Sequence, residues 1–279
     1  VGQGRKILVS LSSSLRTLSL APARLVYAAW VLCTFLGMGM IALLALVVLP
    51  RVSWRRGAAR ALARVFLHLA GMPLTVKFPE RLPSAQCVVV CNHASYLDGI
   101  VLTAALPPRF GFVIKREMAS VPVVGALLGR LGSEFVERFN RNRSARDARR
   151  LMRQALDGHS LVFFPEGTFT RTPGLLKFHT GAFVSAVRAG CPVVPAIVRG
   201  TRRALSPSGA LPLPGPLQLE ILPALAPATP AGPDAVSDLC ARARAAILAD
   251  LGEPDLTYCD DTARPPGTAP ARSARASRP

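Results

Sequence analysis

Between Leu25 and Pro50 the chain runs for 26 residues without a charged side chain. As one helix this stretch would be roughly 39 Å long, enough to cross the hydrocarbon core of a bilayer. It is too long for the apolar heart of a secretory leader, and no small-residue cleavage site follows it. Gly37 and Gly39 fall near its middle, so two forms are open, a straight membrane helix or a re-entrant helical hairpin. Residues 1–24 ahead of it form a basic N-terminal segment carrying Arg5, Lys6, Arg16 and Arg24.

The apolar run closes on Arg51-Val52-Ser53-Trp54-Arg55-Arg56, a basic, Trp-bearing flank of the kind found at a membrane interface. From there to Ala70 the pattern is amphipathic. Ala61, Leu62, Val65, Phe66 and Leu69 share one face, and Arg56, Arg60, Arg64 and His68 recur every four residues on another. Such a helix either lies along lipid headgroups or packs on the domain that follows. Residues 25–70 are thus expected to anchor the chain to membrane lipid. Arginines flank the apolar run on both sides, which tips the following domain only slightly toward the cytoplasmic face of the membrane.

The formal net charge of +18 coexists with 50% hydrophobic residues, a combination that points to an anionic membrane surface. With 6% aromatics and no nucleic-acid motif, a nucleic-acid partner is not expected. The six cysteines (33, 87, 91, 191, 240 and 259) are scattered without a disulfide framework, which agrees with a reducing compartment. Cys87, Cys91 and His93 lack a second ligand pair, so the sequence predicts buried thiols and no metal.

From Pro73 onward short apolar runs alternate with helical patterns, which predicts an α/β domain over 71–252 with a mixed central sheet flanked by helices. Strands are expected at 74–78, 86–91, 110–114, 134–136, 160–164, 193–198 and 217–222, and helices at 97–106, 123–131, 144–156, 181–189 and 235–251. The helix at 144–156 opens on Ser144 and Asp147 as a capping box and turns Arg146, Arg149, Arg150 and Arg153 to one side, where they would meet phosphates. Residues 253–279, rich in Pro, Ala, Arg, Ser and Thr, read as a disordered tail.

Two of the turns carry chemistry. Asn92-His93-Ala94-Ser95-Tyr96-Leu97-Asp98 joins the apolar run 87–91 to a helix, placing His93 at a strand end and Asp98 in a first helical turn. If the turn folds back, Asp98 accepts the proton of one imidazole nitrogen and the other can take a proton from a hydroxyl. The second turn, Phe164-Pro165-Glu166-Gly167-Thr168, also follows an apolar strand. Its backbone N–H groups are candidate oxyanion donors.

Together these turns resemble the motifs of the glycerolipid acyltransferase family, the lysophosphatidic acid acyltransferase-like enzymes, which carry Asn-His-x4-Asp, Gly-x-x-Phe-x-x-Arg and Phe-Pro-Glu-Gly-Thr in that order. The middle element stands here as Gly132-Ser133-Glu134-Phe135-Val136-Glu137-Arg138, and a looser fourth as Val193-Val194-Pro195-Ala196-Ile197. The likeness covers about residues 70 to 225. It implies catalysis by His93 and Asp98, and acceptor binding by Arg138, Glu166, Gly167, Thr168 and Arg171. It further implies acyl-CoA or acyl carrier protein as the acyl donor, with no cofactor, and a lysophospholipid as acceptor, in the first place 1-acylglycerol-3-phosphate. Where the family commonly has arginine after Thr168, this chain has Phe169-Thr170-Arg171, with Arg171 at a more variable basic position. That difference carries a further expectation, an acceptor with a smaller or absent phosphate. Two other classes remain open from the residues alone: a hydrolase using Cys91 with His93, and a membrane-surface binding protein without activity.

Overall fold

The computed structural model describes residues 2–121, 124–136, 150, 153–209, 211–229 and 231–257, with side chains from residue 22 onward. Helix α1 (Gly2–Val48) continues through Gly37 and Gly39, so the re-entrant turn open from the sequence is not formed. Its part Pro22–Val48 is 27 residues long, holds an 18-residue stretch of mean hydropathy 2.6, and is mostly exposed. The chain then reverses, and helix α2 (Val52–Leu69) runs back antiparallel along α1. The Tyr27 hydroxyl donates to the Ala70 carbonyl at 2.7 Å and Trp30 Nε1 to the Leu69 carbonyl at 2.9 Å. Phe35 and Phe66 meet edge to face at 5.7 Å, and near the turn Arg55 Nε donates to Leu49 at 2.7 Å.

The three arginines of the α2 stripe reach the protein, while His68 is exposed. Arg56 donates to the carbonyls of Leu131 (2.8 Å), Arg109 (3.2 Å) and Gly132 (3.1 Å). Arg60 and Arg64 donate to Ala104 and Ala105, the last carbonyls of helix α3 (Asp98–Ala105). Those carbonyls have no partner within their own helix, and a guanidinium satisfies them while opposing the negative end of the helix dipole. Phe66 and Leu67 enter the core, whereas Trp54, Val65 and Leu69 stay exposed beside the apolar surface of α1.

Among the described residues seven strands form one sheet in the order β1-β7-β6-β2-β5-β3-β4. They are β1 (Leu74–Lys77), β2 (Val88–Cys91), β3 (Phe110–Lys115), β4 (Glu134–Val136), β5 (Ser160–Phe163), β6 (Val193–Arg199) and β7 (Leu217–Ile221). All pairings are parallel except β6 with β7, so the sheet is mixed as expected. Central β2 is buried at every position. Its Val89 and Cys91 face a core built with α2 and α3, while Val88 and Val90 face a core built with α5 (Gly181–Ala189) and α6 (Ala235–Leu251). A strand covered on both faces has no use for polar alternation, hence the continuous Cys-Val-Val-Val-Cys. Helix α4 (Val124–Arg130) precedes β4 and sends Arg130 Nη1 to the Leu46 carbonyl at 3.1 Å, a further tie to α1.

The arginine helix at 144–156 is described only in part, and Arg146 and Arg149 lie outside the described residues. Arg150 does not stand ready for a phosphate: its Nε meets Glu134 of β4 at 2.6 Å, and Gln154 joins the same carboxylate at 2.8 Å. The tail does not begin at 253. Leu175 N–H donates to Pro254 at 2.9 Å, Leu256 N–H donates back to Leu175 at 3.0 Å, and Arg244 of α6 holds Asp255. An acid that pairs with a core helix keeps these residues on the fold despite their tail-like composition.

Candidate active site

The parallel strands β2 and β5 end side by side, and the loops leaving them meet. Asn92 extends the β2–β6 pairing by one residue with its side chain: Oδ1 accepts Val198 N–H at 2.8 Å and Nδ2 donates to the Val198 carbonyl at 3.1 Å. This buried clamp fixes the point at which the chain leaves the sheet, and His93 is the next residue.

The turn folds back as its spacing predicts. Asp98, fully buried, brings Oδ2 to 2.8 Å from His93 Nδ1, and the same oxygen receives the N–H groups of Ala94 (2.6 Å) and Ser95 (2.8 Å). An oxygen already receiving two backbone donors acts as acceptor toward Nδ1 as well. The imidazole proton is thereby held on Nδ1, and Nε2 keeps a free lone pair. Ser95 Oγ donates to the Leu205 carbonyl at 2.7 Å, which closes the loop against the end of the short helical turn Thr201–Ala204 that follows β6.

Phe164 lies flat on the His93 ring, with centroids 4.2 Å apart and planes 19° from parallel. Phe169 meets His93 edge-on at 4.5 Å, and Tyr96 in turn stands at 90° to Phe169 with centroids 4.9 Å apart. The imidazole plane is therefore set by aromatic packing as well as by the carboxylate.

Glu166 is buried and engaged within the protein. Oε1 accepts the His93 N–H at 2.6 Å and Oε2 the Leu176 N–H at 2.8 Å. Its two oxygens tie the histidine loop to the loop after β5, so its geometry is that of a positioning residue, unlike the acceptor contact implied by the resemblance. Burial pushes its carboxyl up to about 7, against the pull of the two N–H groups. Gly167 closes a turn by donating its N–H to Phe164 at 3.0 Å, with φ of 73°, a left-handed conformation that favours glycine. Its amide is therefore engaged inside the turn, and that turn loses one of its candidate oxyanion donors. Thr168 and Arg171 are exposed on the loop beyond, while Arg138 lies outside the described residues.

Cys91 is completely buried, and burial holds its thiol well above the ordinary cysteine range. Together these remove it as a nucleophile paired with His93. Sequence reasoning missed the Asn92 clamp, the rings around His93, and Arg202, whose Nη1 donates to Thr170 at 2.6 Å and Nη2 to Glu253 at 3.3 Å. The aromatic residues could have been flagged, since Phe164 and Phe169 flank the second turn and Tyr96 lies within the first.

A buried carboxylate, an oriented imidazole at a strand end and a neighbouring glycine turn thus stand together at the ends of two central strands of a mixed sheet, an arrangement able to take a proton from a hydroxyl. Residues 73–199, a little under half of the chain, match the family model described as Acyltransferase. The chain is 31% identical over 137 residues to the 1-acyl-sn-glycerol-3-phosphate acyltransferase of Haemophilus influenzae, covering 47% of this chain and 57% of that protein. It is 32% identical over 158 residues to lysophosphatidylcholine acyltransferase 2 of mouse, covering 54% of this chain and 28% of that one. The chain thus spans little more than half of the first relative's length and under a third of the second's. The fold is shared with the crystal structure of the 1-acyl-sn-glycerophosphate acyltransferase PlsC of Thermotoga maritima, with TM-score 0.63 at 21% identity over 83% of this chain and 96% of that one.

Proposed function

We propose that the protein transfers a fatty acyl group from a thioester, acyl-CoA or acyl carrier protein, to the hydroxyl of a lysophospholipid at a membrane surface. The observation that carries this reading is the His93 Nδ1 to Asp98 Oδ2 contact at 2.8 Å, which leaves Nε2 as a general base. His93 Nε2 takes the acceptor's hydroxyl proton as that oxygen attacks the thioester carbonyl. The tetrahedral intermediate then collapses, the C–S bond breaks, and the departing thiolate receives the proton from the imidazolium. Asp98 holds Nδ1–H throughout and balances the charge that appears on the ring. Glu166 keeps the histidine backbone in register with the loop after β5. Arg138, by its motif position, and Arg171 are the cations assigned to the acceptor's phosphate. Both 1-acyl-sn-glycerol-3-phosphate and lysophosphatidylcholine appear as acceptors in the names of the relatives.

The α1–α2 hairpin supplies the membrane anchor, through the exposed Leu25, Trp30, Phe35, Met40, Leu44 and Val48 continued by Trp54, Val65 and Leu69. The catalytic domain lies on the cytoplasmic side, where thioester donors are made. The test is direct. Purified protein in detergent, given radiolabelled acyl-CoA and a lysophospholipid, should place the label in a diacyl phospholipid. Label found only in free fatty acid would make the protein a thioester hydrolase, and no thioester consumption would make it a binding protein.

A further inference from the structure

Around His93 the structure offers aromatic carbon on more than one side. Phe164 covers one face of the imidazole, Phe169 stands against its edge at 4.5 Å, and Tyr96, 71% exposed, extends that surface outward. A hydroxyl presented to the free nitrogen has to bring its neighbouring substituents against these rings.

The Phe169 ring is held in place. One residue on, the Thr170 carbonyl accepts from Arg202, and the Thr170 hydroxyl donates to Thr172 at 2.8 Å. Farther along the loop, Gly174 N–H donates to Glu253 at 2.7 Å. Arg202 is engaged by the same ties, its guanidinium shared between the Thr170 carbonyl and the Glu253 carboxylate. Arg171 remains on this loop as an exposed cation.

We infer that Phe169, with Tyr96, is the acceptor-selecting surface of this site, and that it favours a lysophospholipid whose phosphate is a diester bearing a headgroup over one ending in a bare phosphate monoester. This rests on the acyl-transfer reading above. A monoester next to the reacting hydroxyl is close to a dianion at neutral pH. Stripping its water against aromatic carbon is costly, and more so for a dianion than for a monoanion. A diester carries a single charge and so loses less on leaving water, and its headgroup can lie along the exposed Tyr96 ring, where a quaternary ammonium is attracted to the aromatic face.

The experiment compares kcat/KM for 1-acylglycerol-3-phosphate, 1-acylglycerol-3-phosphocholine and 1-monoacylglycerol, all with one acyl chain and one acyl-CoA donor. The full-length protein is assayed as wild type, Phe169→Arg and Phe169→Leu. The wild type should use the phosphocholine acceptor about tenfold or more better than the phosphate monoester, the size of one charge-assisted contact. Phe169→Arg should shift that ratio toward the monoester by about tenfold or more, whereas Phe169→Leu, which adds no charge, should not. A wild type that prefers the monoester, or a folded Phe169→Arg protein with an unmoved ratio, overturns the inference. Preference for monoacylglycerol also overturns it, since the phosphate would then go unrecognised. Thioester consumption with none of the three acceptors removes the acyl-transfer reading and this inference with it, an outcome set apart from the others by zero turnover of the wild type.

Discussion

At the scale of single residues, the site separates chemistry from positioning. Asp98 takes three N–H donors on one oxygen, so it shapes the loop and orients the imidazole together. Asp98→Asn would offer Nδ1 an amide of ambiguous polarity and favour the wrong tautomer. Transfer should fall by at least about a thousandfold with little change in acceptor KM, measured by steady-state kinetics on a protein whose circular dichroism matches wild type. Glu166 gives a pH signature. Its carboxyl rises from an ordinary 4.5 to about 7 on folding, so the folded state favours its protonated form. Its contribution to stability is therefore complete below pH 4.5, declines as pH rises toward 7, and is flat above. The stability of Glu166→Gln relative to wild type should increase by roughly 3 kcal/mol between pH 4.5 and 8 in urea unfolding. A difference independent of pH would mean that the carboxylate is not buried as described. His93 and Asp98 were legible from the sequence because the histidine follows a fully apolar strand and the acid opens a helix. The Asn92 clamp was not, because its partner Val198 lies 106 residues away and only the strand order brings the two together.

At the scale of elements, strand positions were legible because each is a short apolar run bounded by turn residues. Their order was not, since nothing local states that β6 and β7 turn back beside β1. The amphipathic helix α2 shows how an apparent surface signal can be internal. Its four-residue arginine repeat matches the carbonyls of α3 and of Leu131 and Gly132, which no single-helix pattern can reveal. A chain starting at Pro73 would therefore lose Phe66, Leu67 and Met72 from the core together with the Arg56 contacts, and should fail to fold. A chain starting at Arg51 keeps α2. It should remain folded and leave the membrane pellet after a high-salt wash, as judged by flotation with vesicles of anionic phospholipid. Full retention of that shorter chain on the vesicles would move the anchor away from α1.

At the scale of the whole molecule, the net charge of +18 is carried mostly by arginine, and among the described residues a good number of these guanidinium forks are occupied with carbonyls. Arg55, Arg81, Arg130, Arg202 and Arg244 do at loop and helix ends what Arg56, Arg60 and Arg64 do beneath α2. The preference for arginine over lysine thus has a structural cause, the fork that can satisfy several carbonyls at once. The charge itself is not cancelled by a carbonyl, so the molecule still favours an anionic lipid surface. The α1–α2 hairpin and the site are parts of one body, since α2 grips α3 and α3 begins at Asp98. The measurement that reaches the central claim most directly is acyl transfer from radiolabelled acyl-CoA to a lysophospholipid by wild type and His93→Ala, both checked for equal thermal unfolding. The account predicts a labelled diacyl product with the wild type and a loss of at least about a thousandfold in the variant. Turnover by a well-folded His93→Ala protein at the wild-type rate would contradict it.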